Sequence, residues 1–211
     1  MEIDIARNLH AVQSTLPKGV TLVAVSKFHP VDSLRAAYEA GQRIFGESRV
    51  QELVAKQAAL PADIEWHFIG HLQTNKVKQI VPFISLIHSI DTPHLLDEVE
   101  RCAARCGRTV DCLLQLHIAE EETKFGFSLD ECRDYLASGA WRALSHVRLR
   151  GVMGMATLTD DENTVREEFE RLHRFFGEIK ANYFADDEKF SEISMGMSHD
   201  YRIALTCGTT M

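Results

Sequence analysis

Short apolar runs and amphipathic stretches alternate along the whole chain and never separate into two blocks. Apolar residues from Ile5 to Leu16 recur at helical spacing and predict a first helix that ends near Pro17. Residues 21–26 then form a continuous apolar run, which is typical of a parallel strand buried on both faces. The remaining pattern predicts strands over 43–46, 65–69, 84–90, 111–118, 147–155 and 190–194, and helices over 30–40, 47–59, 74–80, 95–106, 129–137, 165–179 and 198–207.

This order predicts seven strand–helix units after a leading helix, with no Pro- or Gly-rich linker between any two. Repeated units with short connections indicate a parallel sheet, either open and doubly wound or closed into a barrel. Seven or eight units favour the barrel. We therefore expect an α/β fold of the TIM type, a (β/α)8 barrel with a leading N-terminal helix, formed as a single domain by residues 1–211.

The eighth strand of such a barrel is not present in this sequence, because the chain stops at Met211 soon after the last predicted helix. A barrel that lacks one strand leaves two sheet edges without a hydrogen-bonding partner. From the sequence we therefore expect a chain truncated at its C-terminus.

The charge balance narrows the possible partners. The chain has 23 Lys and Arg against 31 Asp and Glu, a formal net charge of −8. Such a chain lacks the positive field that binding to nucleic acid or to an anionic membrane requires. The N-terminus resembles no signal peptide, and Pro82, Ser85 and His88 interrupt the most apolar stretch. We expect a monomer in the cytoplasm that binds neither nucleic acid nor membrane.

The cysteines do not suggest a metal site. There are 5 of them, an odd number, and no secretory signal, which favours reduced thiols over a disulfide framework. Cys102 and Cys106 lie one helical turn apart and Cys112 follows, but no C-x-x-C pair or His pair accompanies them. We expect the cysteines to be buried as small hydrophobic residues and we predict no metal ligand.

A lysine follows the first predicted strand. Lys27 comes directly after the apolar run, and active sites of barrels form at the carboxyl ends of the strands. Partial desolvation there favours the neutral, nucleophilic amine that forms Schiff bases. The alternative is a solvated lysine at a strand end.

The last predicted strand runs into a glycine–serine turn, residues 194–198 (SMGMS). Gly196 permits a close approach of the backbone, and Ser198 fits the N-cap of the following helix. Free amides at a helix start, with a hydroxyl beside them, suit a phosphate group. The alternative is an ordinary helix cap with no ligand.

Other strand ends carry weaker candidates. These are Ser48, His71 and Met153, which we group with Lys27, Gly196 and Ser198 as predicted ligand-binding residues, and Lys76 and Lys124, which would add positive charge at the same rim. Because the sequence shows no carboxylate partner for His71, a role as general base is unsupported. His67 lies inside a predicted strand and is interpreted as a core histidine.

Five segments resemble one family in the same order. They are residues 22–27 (LVAVSK), 40–47 (AGQRIFGE), 66–76 (WHFIGHLQTNK), 149–153 (LRGVM) and 194–198 (SMGMS). Together they resemble the pyridoxal phosphate homeostasis protein family, and the resemblance extends from the first helix to Met211. One departure is Ser48, where the family usually has Asn.

The resemblance implies a barrel like the N-terminal domain of alanine racemases. It also implies pyridoxal 5′-phosphate held as an internal aldimine on Lys27, with its phosphate at the turn of Gly196 and Ser198. The family continues beyond the position of Met211 with an arginine that approaches the pyridine nitrogen, and with a last strand.

Three functions remain open from the sequence. The first is a non-catalytic carrier that buffers pyridoxal phosphate and supplies it to apo-enzymes, maintaining vitamin B6 homeostasis. The second is a pyridoxal phosphate enzyme, an amino-acid racemase or decarboxylase, which would need a second acid or base opposite Lys27. The third is a Schiff-base aldolase without a cofactor, which bound pyridoxal phosphate at Lys27 would exclude.

Overall fold

A single curved sheet of seven parallel strands forms the centre of the molecule. The computed structural model describes residues 4–121 and 125–211. Each strand pairs with the next one along the chain, so the spatial order equals the sequence order. The strands are β1 (Ala24–Val25), β2 (Ile44–Glu47), β3 (Glu65–Phe68), β4 (Leu86–Ile90), β5 (Val110–Leu116), β6 (Val147–Gly154) and β7 (Glu192–Ser194).

Helices alternate with these strands, as the apolar periodicity predicts. They are α1 (Ile5–Gln13), α2 (Val31–Glu39), α3 (Val50–Ala59), α4 (Val77–Ile80), α5 (Pro93–Cys106), α6 (Leu129–Ser138), α7 (Glu162–Tyr183) and α8 (Tyr201–Thr206), with 3-10 turns at Thr74–Lys76 and Ala140–Ala143. Local signals explain several of their ends. Gly107 ends α5 in the left-handed conformation, and Ser128 and Glu131 form a reciprocal cap at the start of α6. The alternating βα order and the parallel sheet confirm the predicted TIM-type class.

The last three residues bridge the two edges of the sheet. Thr210 N donates to Ile193 O of β7 at 2.9 Å, and Thr210 O accepts from Thr21 N, just before β1, at 2.8 Å. Met211 O accepts from Met195 N at 3.4 Å. The tail therefore lies where an eighth strand would begin. Both edges of the sheet have a hydrogen-bonding partner where the tail contacts them, whereas the sequence predicts two unpaired edges.

The core has two layers, one on each side of the sheet. The larger layer lies between strands and helices and includes Phe45, Phe68 and Phe169. The smaller layer is a separate cluster of Leu86, Leu113, Met153, Met155 and Met211, contributed by β4, β5, β6 and the C-terminal tail. Because neighbouring strands contribute it away from the helices, this cluster fills the interior of the barrel.

The first strand differs from its prediction. The apolar run predicts a strand over 21–26 buried on both faces, but β1 has only two residues and Val25 is 49% exposed. Because β1 lies at an end of the sheet and forms a regular ladder with β2 alone, only a short stretch meets strand geometry.

The last helix starts later than predicted. It begins at Tyr201, with Asp200 at the N-cap position, so the prediction that Ser198 is the N-cap is wrong. The carboxylate of Asp200 accepts a hydrogen bond from Met197 N, which closes a turn before the helix. The Asp200 side chain makes no hydrogen bond to the first turn of α8, so the helix begins after this turn without a side-chain cap.

The remaining sequence predictions about composition can also be compared with the structure. All five cysteines are free thiols, and four are buried as expected, while Cys106 is exposed. Within residues 4–121 and 125–211, no helix has the length and apolar character needed to cross a bilayer. The same described ranges hold no group of three or more His, Cys, Asp or Glu arranged to bind a metal ion.

Candidate functional site

Lys27 lies at the carboxyl end of β1, where the sequence predicts it. Ser26 N still bonds to Gly46 O of β2, so the ladder reaches this point. The Ser26 side chain turns towards the helix layer and contacts Glu47. Lys27 is half-buried, and no residue of the described chain forms a hydrogen bond or ion pair with its amine.

The two neighbours of Lys27 are fixed by charged side chains of α3. Lys56 Nζ donates to Ser26 O at 2.7 Å, and Glu52 Oε1 accepts from Phe28 N at 2.7 Å. Lys56 and Glu52 also form an ion pair with each other. Sequence patterns do not reveal these contacts, because the partners are 24 to 30 residues apart in the chain.

The turn after β7 is shaped by Gly196. Its φ is +99°, a left-handed value that side chains rarely adopt, and an added Cβ would lie 2.8 Å from Ala204 Cβ and 3.0 Å from Tyr201 Cα. In the described chain the backbone N–H groups of Gly196, Ser198 and His199 have no hydrogen-bond partner. This exposed turn therefore presents several donors, together with the Ser198 hydroxyl, to an anionic group.

Ser48 lies just beyond β2 and directly against Gly70, which follows β3. A Cβ on Gly70 would be only 2.4 Å from Ser48 O, so the glycine permits this close approach. Ser48 is half-buried. The structure therefore brings Ser48 to the same rim as Lys27, one strand along, since Val25 and Gly46 are paired in register.

His71 has a carboxylate partner that the sequence analysis missed. Its Nδ1 lies 2.9 Å from Asp91 Oδ2, and Asp91, directly after β4, is buried while the His71 side chain is 41% exposed. The His71 ring also stacks on Phe125, with ring centroids 3.9 Å apart. A carboxylate directly after a strand was the signal that could have revealed the pair.

Met153 lies in the barrel interior, next to a polar chain formed by His67, His88 and Ser194. Met153 is paired in register with Ser194 of β7. His88 Nε2 lies 2.9 Å from His67 Nδ1, which confirms that His67 is a hydrogen-bonded core histidine. Burial lowers the pKa of His67 to about 4 and that of His88 well below its usual range. Both rings are therefore neutral at pH 7 and place no charge beneath the rim.

Two further lysines, Lys76 and Lys124, are predicted to lie at the rim. Lys76 is half-buried in the 3-10 turn that follows β3, at the same end of the barrel as Lys27. Lys124 lies outside the described residues. A cavity of about 390 Å³ lies at the opposite end, beneath the starts of β1 and β2, where barrels do not place their chemistry.

The carboxyl ends of the strands therefore carry three complementary features. Lys27 offers a primary amine that has no ion-pair partner among the described residues, the Gly196 turn offers backbone donors, and Ser48 and His71 line the rim between β2 and β4. A small ligand with an electrophilic carbon and an anionic group matches this arrangement.

Comparison with known proteins agrees with the geometry. Residues 3–209 match the family model for the alanine racemase N-terminal domain. A pyridoxal phosphate homeostasis protein of Pasteurella multocida is 36% identical over 209 residues, covering 96% of this chain and 87% of that protein. One from Aquifex aeolicus is also 36% identical, over 194 residues, covering 90% of this chain and 82% of the relative.

Solved structures show the same architecture. PipY of Synechococcus elongatus without pyridoxal phosphate superposes with a TM-score of 0.91 at 37% identity, covering 97% of this chain and 94% of that one. The PipY structure with pyridoxal phosphate bound gives 0.87 at 36% identity over the same shares. An alanine racemase of Clostridium difficile, 12% identical, gives 0.71 over 93% of this chain and 50% of its own, a likeness of fold alone.

Proposed function

The chain belongs to the pyridoxal phosphate homeostasis protein family, and from that premise we propose that it binds pyridoxal 5′-phosphate and holds it in reserve for other proteins. The whole of residues 1–211 would act as one cofactor-binding unit. Because two relatives bear the homeostasis name and the bound PipY structure contains this cofactor, the proposal does not depend on the distant racemase likeness.

Lys27 is the residue that we propose to hold the cofactor covalently. The aldehyde carbon of pyridoxal phosphate bonds to a neutral lysine nitrogen, and the aldehyde oxygen leaves as one water. The position of Lys27 supports this role, because the residue is half-buried at the rim and its amine has no partner among the described side chains that would have to be displaced.

The Gly196 turn is the proposed phosphate site. The N–H groups of Gly196, Ser198 and His199 lack partners in the described chain, and the Ser198 hydroxyl adds a further donor. The space that a Cβ on Gly196 would fill is closed by Ala204, so the turn keeps its shape only with glycine. Ser48, Met153 and His71 would complete the walls around the ring of the cofactor, on the strands between Lys27 and the turn.

The proposed role is storage and delivery, not catalysis. Free pyridoxal phosphate reacts with any exposed amine, so a protein that holds it reversibly limits such reactions and supplies apo-enzymes that require it. The homeostasis name of the relatives supports this role. We propose that the protein acts as a monomer in the cytoplasm and needs no nucleic acid or membrane.

Catalysis on amino acids is the second candidate, and one observation favours it. His71 and Asp91 form a hydrogen-bonded pair at the rim, and such a pair can transfer protons. If the loaded protein racemised alanine, and His71→Asn abolished this activity, the protein would be an enzyme and not a carrier. We expect no turnover above background.

The observation that carries the proposal is the Lys27 amine at the carboxyl end of β1, which has no partner among residues 4–121 and 125–211, in a barrel that matches the pyridoxal phosphate-bound PipY structure. An absorbance titration tests it. Adding pyridoxal phosphate to the protein should change the spectrum of the cofactor, and borohydride should make the attachment permanent. Lys27→Ala should abolish the permanent attachment while leaving the circular dichroism spectrum unchanged. Unchanged attachment in Lys27→Ala would contradict the proposal.

A further inference from the structure

Two charged side chains hold the backbone on both sides of Lys27. Lys56 Nζ donates to the carbonyl of Ser26 at 2.7 Å, and Glu52 Oε1 accepts from the N–H of Phe28, also at 2.7 Å. The peptide group before Lys27 and the peptide group after it are therefore each tied to α3. Lys27 itself remains without such a tie in the described chain.

These two side chains and Glu47 are joined into one network, which we call the Lys56 clamp: Lys56, Glu47 and Glu52. Lys56 Nζ donates to Glu47 Oε1 and to Glu52 Oε1, both at 2.7 Å, and Ser26 Oγ donates to Glu47 Oε1 at 2.6 Å. The hydrogen bond from Lys56 lowers the pKa of Glu52, so the acceptor of the Phe28 N–H is a carboxylate at neutral pH. Each contact is therefore charge-assisted and short.

Most of the Lys56 clamp is buried. The side chains of Lys56 and Glu47 are 5% and 0% exposed, and that of Glu52 is 22% exposed. Removing charges from water is costly, and well-packed apolar residues often replace a buried ion pair without loss of stability. Burial of this network is thus better explained by a need for defined geometry than by stability alone.

The backbone after Lys27 adds an independent observation. Phe28 has a φ of 66°, an unfavourable value for an aromatic residue. Among the described residues other than glycine, Phe28 alone has a positive φ. Its side chain is largely exposed and lies beneath the guanidinium of Arg49, at 4.7 Å from the ring centroid. A hydrogen bond from His29 N to Ser26 O at 3.1 Å closes this turn, and the bond from the Phe28 N–H to Glu52 ties it to α3. Because Phe28 gains little burial from its conformation, these hydrogen bonds hold the turn rather than packing of the Phe28 side chain.

We propose that the Lys56 clamp is a positioning device that aims the Lys27 amine at the cofactor. Glu52 and Lys56 are positioning residues, because they fix the two peptide groups that flank Lys27 and leave its side chain free to react. This inference rests on the proposed function. It assigns a role to two side chains of α3 that contact the backbone on either side of Lys27.

Two ligands separate positioning from simple stabilisation. Pyridoxal phosphate uses the Lys27 amine, whereas pyridoxamine phosphate has no aldehyde and binds through its ring and phosphate alone. Glu52→Ala removes the acceptor of the Phe28 N–H at a partly exposed site. We expect it to weaken pyridoxal phosphate binding about tenfold and to slow borohydride trapping to a similar extent. Its pyridoxamine phosphate affinity should stay within about twofold of the parent.

Two further variants complete the experiment. Glu52→Gln keeps an oxygen acceptor without the charge, so the loss should be smaller, about threefold, and this variant replaces Glu52→Ala should the latter not fold. Glu167→Ala removes an exposed glutamate within α7 and should change neither affinity.

The outcomes distinguish a failure of the positioning role from a failure of the proposed function. Equal losses for both ligands, or no loss for either, in a parent that does attach pyridoxal phosphate at Lys27 would overturn the positioning role and leave the proposed function intact. Absence of any attachment at Lys27 in the parent would overturn the proposed function, and the positioning role with it.

Discussion

His88 Nδ1 lies 2.9 Å from Ser194 Oγ, a contact that joins β4 to β7 across the barrel interior. The other ring nitrogen of His88 bonds to His67 of β3, so a polar chain crosses the barrel from one side to the other. Ser194 is two residues before Gly196. The buried histidines therefore support the start of the turn that we propose for the phosphate, and they are neutral there.

The histidine chain predicts how stability depends on pH. In the folded protein burial lowers the pKa of His67 to about 4 and that of His88 well below its usual range, whereas both titrate near 6.5 in an unfolded chain. Below pH 6.5 the unfolded state binds more protons, so stability falls as the pH drops from 6.5 towards 4. His67 alone predicts a loss of about 2 kcal/mol in the free energy of unfolding between pH 7 and pH 5.

Urea unfolding at pH 7, 6 and 5 measures this dependence. Because carboxyl groups also titrate, the informative quantity is the difference between the parent and His67→Gln, which should lose less stability over the same range. Identical slopes for the two proteins would show that His67 is not kept neutral by burial.

Gly196→Ala should destabilise the turn and weaken cofactor binding. The added Cβ meets Ala204 and Tyr201, and the positive φ is strained for alanine, so we expect a loss of about 1–3 kcal/mol of stability. Gly177→Ala is the matched control. Gly177 lies inside α7 with open space around it, and alanine there should raise stability by up to about 1 kcal/mol. Thermal unfolding with and without pyridoxal phosphate compares the two variants. Similar effects of the two substitutions would contradict the role of the Gly196 turn in stability and cofactor binding.

Ser198→Ala should reduce binding without reducing stability. The sequence predicts both effects, because it assigns Ser198 the N-cap, but Asp200 occupies that position. In the proposed site the substitution removes only a hydroxyl donor to the phosphate, which corresponds to about 1 kcal/mol or a several-fold weaker affinity. Calorimetric titration and a melting curve measure the two quantities separately. A lower melting temperature with unchanged pyridoxal phosphate affinity would indicate that Ser198 caps the helix and does not bind the phosphate.

Deleting residues 209–211 should loosen the barrel. Thr210 bonds to β7 and to the segment before β1, and Met211 packs into the interior cluster. Loss of several hydrogen bonds and this contact predicts about 2–4 kcal/mol lower stability, together with weaker cofactor binding because Lys27 and the Gly196 turn lie on the two joined edges. Hydrogen exchange of β1 and β7 amides measures the loosening. Unchanged protection would mean that these residues do not join the edges.

Most of the fold follows from the apolar pattern. The long stripe of α7 and the run of β6 have unambiguous periodicity, and Gly107 ends α5 as expected. The ends of elements are less predictable when a neighbour competes. A turn closed by Met197 N and the Asp200 carboxylate precedes α8, so the helix begins at Tyr201 and not at Ser198. The position of β1 at an end of the sheet limits how much of its apolar run pairs regularly.

The site was predictable only where it lies at strand ends. Lys27 and Gly196 stand at junctions that a barrel places at one rim, so their positions can be inferred from sequence. The contacts of His71 with Asp91 and of Lys56 with Ser26 join residues 20 and 30 positions apart. The Lys56 contact depends on how α3 packs against β1, and no local spacing encodes it. For the histidine pair, the sequence signal is the position of Asp91 directly after β4, which places a carboxylate at the same rim as His71.

The most direct test of the account is the location of the covalent bond. The protein is loaded with pyridoxal phosphate, reduced with borohydride and digested, and mass spectrometry identifies the modified lysine. We predict that the added mass lies on Lys27 and that Lys27→Ala carries none. Modification at Lys76 or Lys124 instead, or equal labelling of many lysines in the parent, would contradict the account.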